Sequence, residues 1–169
     1  MTSDTKIAFL DRDGVLNVDH DYVFRSDEFD WIEGAKEAIV WLNQNGYKVV
    51  VATNQSGIGR GLYTTDDFEA LSNFMRSELA EVGGRIDAIY VCPHHPLAAL
   101  PPFNMDCECR KPKPGMLLKG LLELDGDPDR SFFVGDKQTD MQAAEAAGIR
   151  GFLFTGGNLL EFLQNSLKN

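Results

Sequence analysis

Short unbroken apolar runs alternate along the chain with stretches where apolar residues return every three or four positions. The runs at 7–10, 47–52, 86–91, 131–134 and 151–154 are too short for helices and read as strands of a sheet. Between them, Ala35, Ala38, Ile39 and Leu42 recur at helical spacing after Gly34, and Asn45-Gly46 stops that helix. Thr64 reads as an N-cap, with Asp66 and Asp67 in the first turn, ahead of an apolar stripe of Phe68, Leu71, Phe74, Met75, Leu79 and Val82. Further helices are expected at 116–124, around Met141, Ala144 and Ala147 up to Gly148, and at 159–167. Strands alternating with helices predict a parallel sheet with right-handed crossovers. The expected fold is α/β, a three-layer Rossmann-like sheet spanning 1–169 as one domain, without repeats, linkers or a large cap.

A length of 169 residues and a hydrophobic share of 43% suit an ordinary globular core and argue against disorder. No apolar run approaches a membrane span and residues 1–4 carry no signal pattern, so a cytoplasmic protein is expected. The formal net charge of −10 argues against nucleic-acid or anionic-membrane binding, and an anionic substrate needs local positive charge. The expected partner is a small molecule, the expected state a monomer.

Three polar clusters follow strand ends, and in a parallel sheet such ends meet on one edge. Asp11 and Asp13 close the first run, Thr53-Asn54-Gln55-Ser56-Gly57 the second, and Gly135-Asp136-Lys137-Gln138-Thr139-Asp140 the fourth. Asp11 and Asp13 repel each other, at a cost of roughly 4 kcal/mol for charges about 4 Å apart at an effective dielectric near 20. A divalent cation removes that cost, and a carboxylate is a known nucleophile for phosphoryl groups.

All three cysteines, Cys92, Cys107 and Cys109, fall in a proline-studded segment at 92–114, too long for an ordinary connection. Their odd number and clustering do not suit a secreted disulfide framework. With His94 and His95 they supply the donors of a tetrahedral structural zinc site in a loop at 92–109. The two histidines compete for the fourth place. The gap from Cys92 to His94 matches the gap between Cys107 and Cys109, which favours His94.

Asp11-x-Asp13, Thr53, Lys111 and Gly135-Asp136-x-x-x-Asp140 resemble, in order, the four motifs of the haloacid dehalogenase superfamily of phosphatases. The resemblance covers nearly the whole chain. It implies that Asp11 attacks phosphorus and that Asp13 protonates the leaving oxygen and then deprotonates water. It further implies Mg²⁺ on Asp11, the carbonyl of Asp13 and Asp136, with Asp140 in support, and phosphoryl oxygens held by Thr53 and Lys111.

The zinc loop running into Cys109-Arg110-Lys111-Pro112 narrows the resemblance to heptose bisphosphate phosphatases and the related histidinol-phosphate phosphatases. The stretches at 17–22 and 53–57, Arg60-Gly61 and Cys92-Pro93-His94-His95-Pro96 are similar to the heptose branch, as is the roomy gap between His94 and Cys107. Val15 stands where those enzymes usually carry threonine, and the tail after Gly157 is short. The implied activity is removal of the C7 phosphate of a heptose bisphosphate, which in that family feeds nucleotide-activated heptose for lipopolysaccharide. Arg110 is the expected reader of the second phosphate because its planar fork suits bidentate binding. Arg12, Asp19, His20, Asp21, Tyr22, Asn54, Gln55, Ser56, Arg60 and Lys137 complete the expected substrate contacts. Histidinol-phosphate or another small sugar-phosphate phosphatase, a phosphoryl-storing signalling module and a zinc-stabilised binding module remain as alternatives.

Overall fold

The computed structural model describes residues 3–168; Met1, Thr2 and Asn169 lie outside the described residues, and with them half of the 1–4 stretch read for a leader. Five parallel strands, β1 Lys6–Leu10, β2 Tyr47–Asn54, β3 Ala88–Cys92, β4 Phe132–Gly135 and β5 Arg150–Leu153, lie in the order β3-β2-β1-β4-β5. Between and after them come α1 Ala35–Gln44, α2 Ser56–Gly59, α3 Thr65–Glu81, α4 Gly115–Glu123, α5 Gln138–Ala147 and α6 Leu159–Ser166.

The twofold alternation of side chains along a strand divides the core. Ala8 and Leu10 of β1, Val49 and Val51 of β2, and Phe132 and Val134 of β4 pack with α1, α3 and α6. Ile7, Phe9, Val50, Ala52 and Phe133 face the other way, against Met116, Leu117 and Leu121 of α4 and Ala143, Ala144 and Ala147 of α5. Each face of the sheet is thus covered by helices, giving three layers. Truncating a fully buried side chain such as Phe9 to alanine would cost about 3–5 kcal/mol.

The chain climbs from β1 to β2 and β3, then returns to place β4 on the opposite side of β1. The reversal falls between the C-terminal ends of β1 and β4, the place where open α/β sheets bind ligands. No helix among the described residues is long and apolar enough to cross a membrane.

Local chemistry explains most element ends. Thr64 and Asp67 close a reciprocal capping box on α3. Gly148 ends α5 in the left-handed conformation. Several boundaries differ from the sequence reading. β2 continues through Thr53 and Asn54, because β3 offers partners as far as Cys92, and the expected flexible turn is the short helix α2. Ser131 stays outside β4; its hydroxyl receives the N–H of Ile7 and donates to the Asp127 carbonyl, standing in for a ladder bond. Val82, expected on the apolar stripe of α3, is the C-cap residue and half exposed. Between Cys92, the end of β3, and Gly115, the start of α4, there is neither helix nor strand, as the proline content predicts.

Candidate active site

The first carboxylate of the site leaves the end of β1 almost out of solvent. Asp11 is 6% exposed; its Oδ1 receives the Arg12 N–H at 2.8 Å and the Lys111 ammonium at 3.1 Å. Lys111 reaches this point from the long loop. Its Nζ also meets Asp140 Oδ1 at 2.7 Å and the Ala52 carbonyl at 3.1 Å, so its three donors have three acceptors. Burial works against the ammonium, but Asp11 and Asp140 outweigh it and hold the Lys111 pKa above its ordinary value. For Asp11 burial is the larger effect, and with Asp140, Asp13 and Asp136 nearby it overrides Lys111. The Asp11 carboxyl is raised to about 7.

Asp136 comes from the turn between β4 and α5, and Asp140 from the first turn of α5. Asp140, 1% exposed, receives the backbone N–H groups of Asp136 and Lys137 on Oδ2, both at 3.1 Å, while Oδ1 takes Lys111. Both of its oxygens are committed within the protein. Asp136 differs: its Oδ1 is buried without a partner, and burial, then Asp140, push its carboxyl pKa up. Oxygens of Asp11, Asp136 and Asp140 all lie within 4.8 Å of one another. An orphaned carboxylate oxygen beside a second, charge-frustrated carboxylate fits a hard divalent cation. It fits Asp136 and Asp11 as ligands, with Asp140 as a support for Lys111 and the turn. Gly14 makes this approach possible: at φ 93°, a Cβ there would sit 2.0 Å from Asp136 Oδ2.

Asp13 is surrounded by donors. Arg12 Nη2 reaches both of its oxygens at 3.1 Å, Asn17 Nδ2 reaches Oδ1 at 2.9 Å, and Gln55 Nε2 reaches Oδ2 at 2.9 Å. Asp11, Asp13, Asp19, Asp21, Tyr22, Asn54, Gln55, Ser56, Tyr63, Arg110, Lys111, Lys137, Thr139 and Asp140 line one cleft of about 400 Å³. Asp21 and Tyr22, at φ 61° and 55°, hold the rim in a conformation uncommon for residues other than glycine. Arg110 Nη1 is shut from solvent without a protein partner, as a cation awaiting an anion would be.

Three expected substrate contacts do not reach the cleft. Arg12 is 1% exposed and spent on Asp13 and on the Val23 carbonyl, 2.7 Å away. His20 turns outward to Asp30, at 2.6 Å, on the wall of a separate surface hollow. Arg60 is exposed beyond the cleft lining. Thr53 is 1% exposed beneath the cleft wall, its Oγ1 receiving Gln55 Nε2 at 2.8 Å. Asn17, Tyr63 and Thr139 were missed by sequence reasoning. Asn17 follows Asp13 by four residues in a tight loop, which was a usable signal; nothing local marks Tyr63.

The second cluster holds the long loop. Cys92, the last residue of β3, meets His94, Cys107 and Cys109, with one ligand atom of each within 4.8 Å of all the others. Sγ–Sγ separations run from 2.9 to 3.4 Å, and His94 Nδ1 lies 3.4 Å from Cys109 Sγ. Four ligands at zinc distances would stand roughly 3.8 Å apart, so the set is slightly tight but the donor chemistry fits zinc. His95 is not part of it; its Nδ1 accepts the Leu97 N–H at 3.0 Å. Cys109 stands two residues before Lys111, whose backbone is gripped by the Asn54 side chain. The Lys111 N–H donates to Oδ1 at 3.1 Å, and Nδ2 donates to the Lys111 carbonyl at 3.3 Å.

Residues 108–161 match a hydrolase-like family model described as "HAD-hyrolase-like". The chain is 48% identical over 149 residues to the D-glycero-beta-D-manno-heptose-1,7-bisphosphate 7-phosphatase of Photorhabdus laumondii, covering 88% of this chain and 79% of the relative. It is 50% identical over 145 residues to the protein of that name from Pasteurella multocida, covering 86% and 78%. Among solved structures, the D,D-heptose 1,7-bisphosphate phosphatase of B. bronchiseptica, complexed with magnesium and phosphate, superposes with a TM-score of 0.80 at 41% identity, covering 95% of this chain and 87% of that one.

Proposed function

Because the chain belongs to the D-glycero-beta-D-manno-heptose-1,7-bisphosphate 7-phosphatases, within the haloacid-dehalogenase-like hydrolases, we propose that its cleft removes the C7 phosphate of a heptose 1,7-bisphosphate. One observation carries the reading: the pair Asp11 and Asp13, Lys111, and Asp136, from three distant stretches of the chain, converge where the sheet reverses between β1 and β4.

Asp11 attacks phosphorus while the bond from phosphorus to the C7 oxygen breaks. Asp13 gives its proton to that oxygen, and the sugar leaves as an alcohol. A water then attacks phosphorus on the aspartyl-phosphate. Asp13 takes its proton, and Asp11 is released with free phosphate. Lys111 and the Thr53 hydroxyl hold the phosphoryl oxygens as charge shifts. Asp11, Asp136 and the Asp13 carbonyl would hold Mg²⁺. Bound there, Mg²⁺ supplies the positive charge that lets Asp11 stay ionised beside a phosphate dianion. Cys92, His94, Cys107 and Cys109 would hold zinc, which fixes the loop bearing Arg110 and Lys111.

In this reading Arg110 takes the phosphate left on C1, and Asp19, Asp21, Tyr22, Ser56 and Lys137, which line the same cleft, contact the sugar between the two phosphates. Phosphorus NMR of the bisphosphate with Mg²⁺ and enzyme tests the regiochemistry. The C7 resonance should vanish while the C1 resonance persists; loss of the C1 phosphate first would overturn the reading.

A further inference from the structure

Gln55 occupies an unusual place. Its amide touches both the acid/base carboxylate and the hydroxyl beneath the cleft, donating from Nε2 to Asp13 Oδ2 at 2.9 Å and to Thr53 Oγ1 at 2.8 Å. It is 3% exposed. A buried amide can point either way round, and only one way serves the site: reversed, it would set a carbonyl oxygen against a carboxylate. The other end of the amide is held by Tyr63, whose hydroxyl donates to Gln55 Oε1. Burial pushes the Tyr63 phenol up to about 12, so it keeps its proton at neutral pH; with Nε2 committed to Asp13 and Thr53, that proton goes to Oε1 and holds the amide this way round.

Tyr63 is itself fixed. It is 4% exposed and stacks on Phe24, with ring centroids 5.2 Å apart and planes 8° from parallel. Its ring lies on Gly57, where any Cβ would come within 2.2 Å of it. Phe24 follows the rim residues Asp19, Asp21 and Tyr22, so the relay joins the cleft rim to the acid/base group.

We infer that Tyr63 and Gln55 form a positioning relay: Tyr63 locks the Gln55 amide, and Gln55 aims the Asp13 carboxyl at the leaving oxygen. The same amide fills a lone pair of the Thr53 hydroxyl. The hydroxyl's one other contact is a long 3.4 Å approach to the Asn54 carbonyl, so its hydrogen is left for a phosphoryl oxygen. Neither Gln55 nor Tyr63 is required to touch the reacting atoms. The inference rests on Asp13 being the general acid.

That dependence supplies the test. A general acid matters for an alkoxide leaving group and little for a nitrophenolate, which leaves without a proton. Gln55→Leu and Tyr63→Phe are compared with wild type on a sugar phosphate and on 4-nitrophenyl phosphate, with Asp13→Asn alongside. The comparison is made in kcat/KM, which covers aspartyl-phosphate formation and not the later hydrolysis common to both esters. On the sugar phosphate it should fall roughly ten- to a hundredfold in Gln55→Leu and about three- to tenfold in Tyr63→Phe, with KM little changed. On the aryl ester both should lose less than about threefold. Equal losses on the two esters would mean that the residues only support the fold, and the relay would be wrong. If Asp13→Asn itself shows no preference for the aryl ester, Asp13 is not the acid, and the relay falls with that reading. Tyr63→Phe keeps the ring, its stacking and its contact with Gly57, so it carries the test alone if Gln55→Leu does not fold.

Discussion

The molecule has two clusters able to hold a metal, and they are built in opposite ways. The carboxylates Asp11 and Asp136 sit just beyond the ends of β1 and β4 and Asp140 in the first turn of α5, placed by the most regular part of the structure. The thiol and imidazole set of Cys92, His94, Cys107 and Cys109 closes a segment with neither helix nor strand. In the first, the sheet forces like charges together, and the frustration is what a phosphoryl-transfer site needs. In the second, a metal would take the place of packing that the loop cannot supply. The two meet at Lys111, which belongs to the loop in sequence and to the carboxylates in space. In the proposed mechanism the chemistry thus rests on the sheet, while the loop brings in the Lys111 cation and, with Arg110, the selectivity.

The sharpest way to separate the clusters is to neutralise one member of the first. Asp11→Asn should lower turnover by at least about 10⁴-fold. Its melting temperature without metal should stay level or rise, since a buried like charge is removed. Phosphate release and a thermal melt check both halves; retained turnover would strip Asp11 of the nucleophile's role. Breaking the second cluster should act differently. Cys107→Ser should lose zinc and several kcal/mol of stability, with turnover falling about ten- to a hundredfold through displaced Arg110 and Lys111. Metal analysis beside kinetics decides it. Zinc loss with unchanged turnover would uncouple the clusters.

Smaller effects sharpen the division of labour. Arg110→Ala should cost a bisphosphate about tenfold more in kcat/KM than a monophosphate, because only the former loses a charge-assisted contact. Equal losses would remove Arg110 as reader of the second phosphate. The smallest effect is one of pH. Folding raises the Asp11 carboxyl from an ordinary 3.8 to about 7, so the folded chain binds more protons than the unfolded one between those values. Stability without metal should therefore fall as pH rises from about 4 to about 7. Mg²⁺ would relieve that repulsion, so its stabilising shift in melting temperature should be larger near pH 8 than near pH 5, by a few degrees. An equal shift at both would show that Asp11 is not where Mg²⁺ binds.

The two clusters also differ in how far the sequence discloses them. Strand ends were readable because an apolar run followed by acids is a local signal, and parallel topology brings such ends together. The Cys and His spacing was equally local, down to His94 lying in the cluster and His95 outside it. What local pattern could not give is where long side chains turn. Arg12 lies between two site aspartates yet is spent on Asp13 and the Val23 carbonyl inside the protein. His20 sits beside three cleft residues yet faces Asp30. Tyr63 reaches Gln55 only through the packing of α2 against the rim, which no spacing rule encodes.

Steady-state kinetics on both anomers of D-glycero-D-manno-heptose 1,7-bisphosphate beside histidinol phosphate, with Mg²⁺ and zinc-loaded protein, probe the substrate assignment most directly. One heptose bisphosphate anomer should show the highest kcat/KM, well above histidinol phosphate. Turnover of histidinol phosphate far better than either anomer would contradict it.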